Sequence, residues 1–352
     1  MQKQILIINK AQFGYHTDYY KFCEYLKYES KVKYFCFDSG KKKISIEGVE
    51  VYYVSWRGSK TIRGMRFMTS ALHHIFIFKG TVFIHYFENC QYLKKLLPWK
   101  KMILDIRTLS INKDENQRIR YDSRLKKACA HFDFVTIISE GLRKKLKLPT
   151  EKSAILPLGA DVISSRPKTF ESLKLLYVGT LNGRNITETV KGLSIFCKNH
   201  PRIQHVSYDI IGEGNEMEEI KELVAMLNLS DKITLHGRVP HSELSPYFNN
   251  CNVGVSYVPV TDYYQYQPVT KTFEYILSGM VCIATNTFEN KIVINNDNGV
   301  LCDDSPVSFA QALERITANQ SKYNSADIQN TLKDHTWQDI VENKLIPLLN
   351  SR

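Results

Sequence analysis

Lys271 and Glu274 lie three residues apart where an apolar helix pattern begins, in the stretch QPVTKTFEYILSGMVCIATNT, residues 267–287. A lysine beside the open amides of a helix N-terminus can hold phosphate, and the glutamate is placed to accept from sugar hydroxyls. Pro268 reads as the start of this helix, Ile276 and Leu277 as its packing face and Gly279 as its left-handed stop. The chemistry suggested is the binding of a phosphorylated ligand. Two other segments repeat the strand, glycine turn and helix. In LKLLYVGTLNGRNITETVKGL, residues 173–193, Gly179 and Gly183 allow close backbone approach and Arg184 stands where a helix begins, a seat for a diphosphate. Lys191, mid-helix, reads as solvated. In YDIIGEGNEMEEI, residues 208–220, Gly212 and Gly214 form a tight turn near a ligand, but Met217 takes the third glycine place of a dinucleotide fingerprint. In ITLHGRVPHSELSPYF, residues 233–248, backbone around Arg238 and Val239 is open to a base edge.

These segments need elements to hold them. Strand-like runs alternate with helix-like ones, which predicts parallel sheets in two α/β halves. The first half has strands at 4–9, 32–37, 81–86, 102–106, 134–138 and 154–156. The second has strands at 173–178, 205–211, 232–235, 253–257, 281–284 and 300–302. Residues 159–172, with Pro167 and several serines, read as the linker. The domain boundaries expected are 1–160, 161–335 and a terminal amphipathic helix, residues 336–352. That helix carries Trp337, Ile340, Val341, Leu345 and Leu348 on one stripe, and either caps the second domain or crosses back to the first. Two doubly wound sheets facing each other would place a ligand in the cleft at the carboxyl ends of their strands.

Composition narrows the class. Of 352 residues, 43% are hydrophobic and 24% charged, which fits a globular chain of two domains rather than disorder. Eight cysteines occur without a CxxC pair, as suits a reducing cytoplasm rather than disulfides or zinc. The opening MQKQILIIN lacks a signal-peptide core and no run reaches membrane-span length, so a cytoplasmic protein is expected. The net charge of +11 is uneven: residues 1–160 hold 30 Lys+Arg against 14 Asp+Glu, or +16, and the rest hold 17 against 22, or −5. A basic half meets nucleic acid, anionic lipid or an anionic substrate, unless it is simply a solvated lysine-rich surface. The run IRGMRFMTSALHHIFIFK, residues 62–79, is basic and aromatic. Phe67, Leu72, Ile75 and Phe76 read as its core, and it also suits an interfacial helix on anionic lipid.

Taken together, YVGTL with its downstream arginine, IIGEGNEMEEI, KITLHGRV, VGVSYVP and PVTKTFEYILSGMVCIAT resemble the donor half of retaining glycosyltransferases of family 4, from about Ile155 to Trp337. The resemblance implies a GT-B fold of two Rossmann-like domains, with a nucleotide-sugar donor bound mainly by the second. It implies Glu274 on the donor ribose, Arg184 on the diphosphate, Val239 near the base, and residues 267–271 along the sugar and phosphates. Two departures stand out. The family often has two glutamates eight apart, but eight before Glu274 is Tyr266. Contact with the sugar then falls to Tyr266, Gln267 or backbone. Gly179 is followed by Thr180 where an arginine is usual, leaving Arg184 and Lys271 to supply positive charge.

The first half matches less closely. The loop KAQFGYHTD has one glycine, Gly14, where many relatives have two beside the diphosphate, and Thr17 or Asp18 reads as the cap of the next helix. His85 ends a strand, pointing to the cleft or satisfied in the core. Asp105 and Arg107 end another, where similar relatives carry acid and base groups beside the acceptor. Ser139 and Glu140 open a helix near that place or simply cap it.

The function implied is retaining transfer of a sugar to a glycan or lipid-linked glycan, in bacterial cell-surface polysaccharide synthesis at the inner face of the membrane. With no DxD triplet, the expected diphosphate ligands are Arg184, Lys271 and amides, with no metal or cofactor. The acceptor proton goes to a departing phosphate oxygen, with Asp105 or His85 as possible assistants. Rival readings are a non-catalytic sugar-binding relative and a nucleotide-sugar epimerase of the same fold. Nucleic-acid binding is disfavoured by the missing recognition motif and the acidic second half.

Overall fold

The structure is a computed structural model and describes residues 3–203 and 205–351. The chain divides into two compact units, one of Met1–Gly159 with Trp337–Arg352 and one of Ala160–Thr336. The first runs β1 (Lys3–Ile8), α1 (Thr17–Leu26), β2 (Ser30–Asp38), β3 (Val49–Ser55), α2 (Lys60–Ile77), β4 (Thr81–His85), α3 (Gln91–Leu96), β5 (Met102–Ile106), α4 (Glu115–Cys129), β6 (Phe134–Ile137), α5 (Glu140–Leu146) and β7 (Ser153–Ile155). The second runs β8 (Leu173–Val178), α6 (Ile186–Asn199), β9 (Val206–Ile211), α7 (Met217–Met226), β10 (Ile233–Gly237), α8 (Ser245–Asn250), β11 (Val253–Ser256), α9 (Thr270–Leu277), β12 (Val281–Thr285), α10 (Phe288–Val293), β13 (Gly299–Cys302), α11 (Pro306–Ala318) and α12 (Ser325–Asn330).

Both sheets are wholly parallel. Their orders are β3-β2-β1-β4-β5-β6-β7 and β10-β9-β8-β11-β12-β13. Strands covered by helices on both faces lose their polar residues, which is why β1, β4, β5, β11 and β12 read as nearly continuous apolar runs. Strand order reverses between β1 and β4 in the first sheet and between β8 and β11 in the second. Such a switch point parts the loops at the carboxyl ends of the strands and leaves a crevice there.

Strand β3 falls outside the strands expected from sequence. It is an edge strand, half-exposed along most of VEVYYVS, so it lacks the apolar run that marked the others. Residues 161–172 are not a free linker. Asn252 Nδ2 donates to Thr169 O and Ser172 O, each at 2.7 Å, and Lys168 Nζ donates to Ser164 Oγ at 2.9 Å.

The terminal segment comprises α13 (Trp337–Ile340), a π turn (Val341–Leu345) and α14 (Ile346–Ser351). It packs against α1, where Trp337 meets Phe22 edge-on at 6.0 Å. Pro347 has no N–H for the carbonyl four residues back, and the π turn absorbs that break. The extra residue in the turn shifts the register, so Leu349 is buried where Leu348 was expected.

The helix that carries Lys271 begins at Thr270 with Val269 as N-cap, two residues beyond Pro268. It ends as the sequence indicates. Gly279 has φ +73, its N–H donates to Ile276 O, and Met280 N donates to Tyr275 O, the paired bonds of a Schellman motif. A Cβ on Gly279 would stand 2.0 Å from Ser325 Oγ. Gly279→Ala therefore combines left-handed strain with a clash and should lower unfolding free energy by about 2–3 kcal/mol. Urea denaturation measures this, and an unchanged midpoint would contradict the packing described.

Candidate active site

At the switch point of the second unit, the loop after β8 meets the loop after β11. Lys271 Nζ sits 3.7 Å from the centroid of the Tyr177 ring, on β8. The Arg184 guanidinium packs 4.9 Å from the centroid of Tyr264, in the loop that follows β11. Burial, reinforced by the neighbouring positive charge of Arg184, holds the Lys271 amine well below the usual lysine range. Among the described residues no carboxylate lies within ion-pair distance of either cation. The start of α9 has no side-chain cap, so its first amides add to the same positive field. Two half-buried cations beside an open helix start suit a ligand with at least two negative charges.

The glycines make this closeness possible. Gly212 has φ +157, and a Cβ there would lie 1.8 Å from Gly179 O, so the turns after β8 and β9 touch backbone to backbone. Gly179 N donates to Ile211 O and Gly212 N to Gly237 O, linking three successive strand ends. A Cβ on Gly179 would stand 3.3 Å from Lys271 Nζ. Arg184 N donates to Glu216 Oε1, which fixes the arginine at the base of its loop.

Glu274 is buried on α9, and it is not free as the sequence suggested: His241 Nε2 lies 3.2 Å from its Oε1. The ring of the exposed His241 thus stands between the carboxylate and solvent. Gln267 has a buried Nε2 without a hydrogen-bond partner, an unmet donor in the same loop as Tyr264. Tyr266 packs its ring against Phe288 at 5.4 Å, at the start of α10. Arg238 is exposed and pairs with Glu213 at 3.3 Å, next to the half-buried Val239. Lys191 is exposed and bound to Glu188, as expected of a solvated helix position.

The first unit has a second polar cluster at its own switch point, where the loop after β1 meets the end of β4. The rings of His16 and His85 stand 4.9 Å apart, and Tyr19 meets both, at 4.8 and 5.1 Å. Burial, then His16 and Arg107, pushes His85 down to about 3, so its imidazole is neutral. Burial likewise lowers His16. Arg107 Nε donates to Asp18 Oδ2 at 2.6 Å and its NH1 group to Leu156 O at 2.6 Å, leaving NH2 buried without a partner.

Several expectations for this unit are corrected. Asp105 is fully buried, accepting from Tyr19 Oη at 2.5 Å and Thr136 Oγ1 at 2.6 Å, so both of its oxygens are engaged inside the fold. Burial raises its pKa, offset by Arg107 and these two donors. Arg107 is equally enclosed and acts inside the fold. Its pull on Asp18 explains why neither Thr17 nor Asp18 caps α1; His16 is the N-cap and makes no side-chain cap bond. Gly14, at φ +88, faces Ile44, whose Cδ1 would lie 2.5 Å from a Cβ, so that glycine serves the packing of its own loop. Ser139 Oγ accepts from Leu142 N, the capping role. Sequence reasoning missed Tyr264, His241 and His16 as site residues. Each lies in a different connection from its partner, so no local spacing joins them.

The matched family fits this geometry. Residues 164–333, which lie within the second unit, match the model of the glycosyl transferases group 1. Sucrose-phosphate synthase from Thermosynechococcus elongatus is similar at TM-score 0.76 and 17% identity, over 99% of each chain. HepE from Anabaena, in complex with UDP, gives 0.74 and 10%, over 100% of each. The lipopolysaccharide outer core galactosyltransferase WaaB gives 0.72 and 12%, over 99% of this chain and 100% of that one. All are GT-B structures, and the two parallel-sheet units here are that fold. A sequence search of curated proteins finds no match.

The first unit should respond to acid. The folded pKa of His85 is about 3 against an unfolded value near 6.5, so the unfolded chain binds the extra proton between those values. Stability is then lost as pH falls from 6.5 towards 3, by ~2 kcal/mol at pH 5. Melting temperatures at pH 7.5 and 5 should show a larger drop in the wild type than in His85→Gln. Equal drops would contradict the buried neutral imidazole.

Proposed function

We propose that the protein is a retaining glycosyltransferase that moves a hexose or related sugar from a nucleoside diphosphate sugar to a glycan or lipid-linked glycan. The observation that carries this reading is the Lys271 and Arg184 pair beside the uncapped start of α9, at the switch point of the second sheet. Two basic side chains and open amides at one end of the sheet suit a diphosphate. HepE has been solved with UDP-glucose, and the E. coli trehalose-6-phosphate structure with UDP-2-fluoro glucose, which favours a uridine nucleotide as the first donor to try.

In the proposed reaction, the bond between the anomeric carbon and the β-phosphate oxygen breaks, and the bond to the acceptor oxygen forms on the same face. The leaving diphosphate gains negative charge as this occurs. Lys271, Arg184 and the α9 amides meet that charge without a metal ion, each gaining more interaction in the transition state than in the ground state. The acceptor proton passes to the departing phosphate oxygen. Neither candidate base in the first unit suits that proton: Asp105 is enclosed, and an imidazole with pKa about 3 has little affinity for it at neutral pH. Asp105 and Arg107 act instead as positioning residues for Tyr19 and α1, and His85 offers hydrogen bonds to an acceptor hydroxyl.

Glu274, oriented by His241, accepts from the donor ribose. Gln267 and Tyr266 are assigned to the sugar, and Gly179, Gly212, Arg238 and Val239 to the backbone and base side of the donor. The basic character of residues 1–160 suits a lipid-linked acceptor at the cytoplasmic face of a bacterial membrane, in surface polysaccharide synthesis. Among the described residues no helix is long and apolar enough to cross a membrane.

UDP-, GDP- and ADP-sugars tested by thermal shift identify the donor, since a ligand bound only to the folded state raises its melting temperature. With that donor, Glu274→Gln should lower kcat/KM about 100-fold, losing one charge-assisted hydrogen bond worth roughly 3 kcal/mol, with melting unchanged. Wild-type turnover in this variant would remove Glu274 from the donor site.

A further inference from the structure

Helix α2 has apolar side chains on two opposite faces. Phe67, Ala71 and Ile75 are buried. At 100° per residue, Ile62, Met65, Thr69, His73, Phe76 and Ile77 fall on one stripe on the other side, and all are exposed. Exposure reaches 58% at Met65, 59% at Phe76 and 60% at Ile77. Phe76 was expected in the core from sequence; it points out because the buried stripe is already filled one residue earlier by Ile75.

The surface continues onto α3. Crossovers β3-α2-β4 and β4-α3-β5 step across the sheet in the same direction, and right-handedness puts both helices on one face, where they touch. Lys100 Nζ donates to Phe78 O at 2.8 Å, fastening the segment after α3 to the end of α2. That segment carries Trp99, 66% exposed, and α3 itself exposes Tyr92 and Leu96. Between Lys60 and Lys101 the chain has eight Lys+Arg and one acid, Glu88, for 8 − 1 = +7. Lys60, Arg63, Lys79 and Lys95 have no ion-pair partner among the described residues. Arg63 lies over Trp56 at 4.2 Å and Lys95 over Tyr92 at 5.5 Å, so cations and aromatic rings alternate on the surface.

We propose that the outward face of α2 and α3 docks on an anionic phospholipid surface, with α2 lying in the plane of the headgroups. This rests on the membrane-linked acceptor of the proposed function and assigns the surface responsible. The cations meet lipid phosphates while Phe76, Ile77, Leu96 and Trp99 enter the boundary with the acyl chains. A second copy of the chain suits the face poorly, because it would bring the same positive charge against it.

Co-sedimentation of the full chain with phosphatidylcholine vesicles, with and without about a third phosphatidylglycerol, tests this. Binding is expected only to the anionic vesicles and should weaken as salt rises. Lys60→Glu with Lys79→Glu, and separately Phe76→Glu with Ile77→Glu, should each reduce it at least tenfold, given a factor of about five for each surface cation removed. Thermal shift by the donor nucleotide should be the same in all variants, so loss of lipid binding is read apart from loss of the donor site. The proposal is overturned if the wild type ignores anionic vesicles at low salt or if Phe76→Glu with Ile77→Glu binds as the wild type does. Self-association of the wild type that these substitutions abolish would also overturn it, by making the face an interface between copies.

Discussion

A buried lysine amine held near a guanidinium, with no carboxylate in ion-pair contact among the described residues, is the constraint around which the second unit is arranged. Desolvating an ammonium and setting it near a guanidinium costs free energy that folding must find elsewhere. Here the fold offsets it in three ways: the Tyr177 ring lies under Lys271, Tyr264 lies under Arg184, and Glu274 is near enough to favour the charged lysine. A carboxylate bridging the two cations would stabilise the free protein but would occupy the place of an anionic ligand. The glycine turns serve the same end, since Gly179 and Gly212 bring three strand ends together in a space that side chains would fill.

Behind this site lies a buried polar network that keeps its walls in place. Ser256 Oγ and Thr272 Oγ1 are 2.6 Å apart, joining β11 to α9, and Asn290 Nδ2 donates to Thr285 O at 2.8 Å, joining α10 to β12. Gln265 takes the free amide of Phe288 at 2.7 Å, which ties the tyrosine-rich loop to α10. The first unit resolves a similar problem differently. Arg107 is buried with Asp18 and Asp105 as neighbours, and these two carboxylates outweigh the desolvation of the guanidinium and keep it charged. Its switch point is then left with neutral imidazoles, suited to hydroxyl groups rather than phosphate.

Much of this was readable in the chain. The doubly wound architecture followed from buried apolar strands alternating with amphipathic helices, and β8 and β5 were placed to the residue. The placement of Lys271 and Arg184 at one end of the second sheet was legible because each sits in a local strand, turn and helix whose geometry the sequence dictates. What was not legible depends on partners far along the chain. Asp18 has the composition of a helix cap, but Arg107, 89 residues away, claims its carboxylate. Glu274 looked free until His241, 33 residues earlier, came to cover it. Phe76 and Ile75 are equally apolar, and only the packing of α2 on its sheet decides which one faces out.

Burial and Arg184 lower the Lys271 pKa in the free protein, and an anionic ligand at this place would raise it again. Calorimetric titration with UDP in buffers of differing ionisation enthalpy, above about pH 8 where a terminal phosphate is fully ionised, counts the protons exchanged on binding. Net proton uptake is expected, and it should disappear in Lys271→Met. Binding without proton uptake, or uptake that persists in that variant, would contradict this coupling.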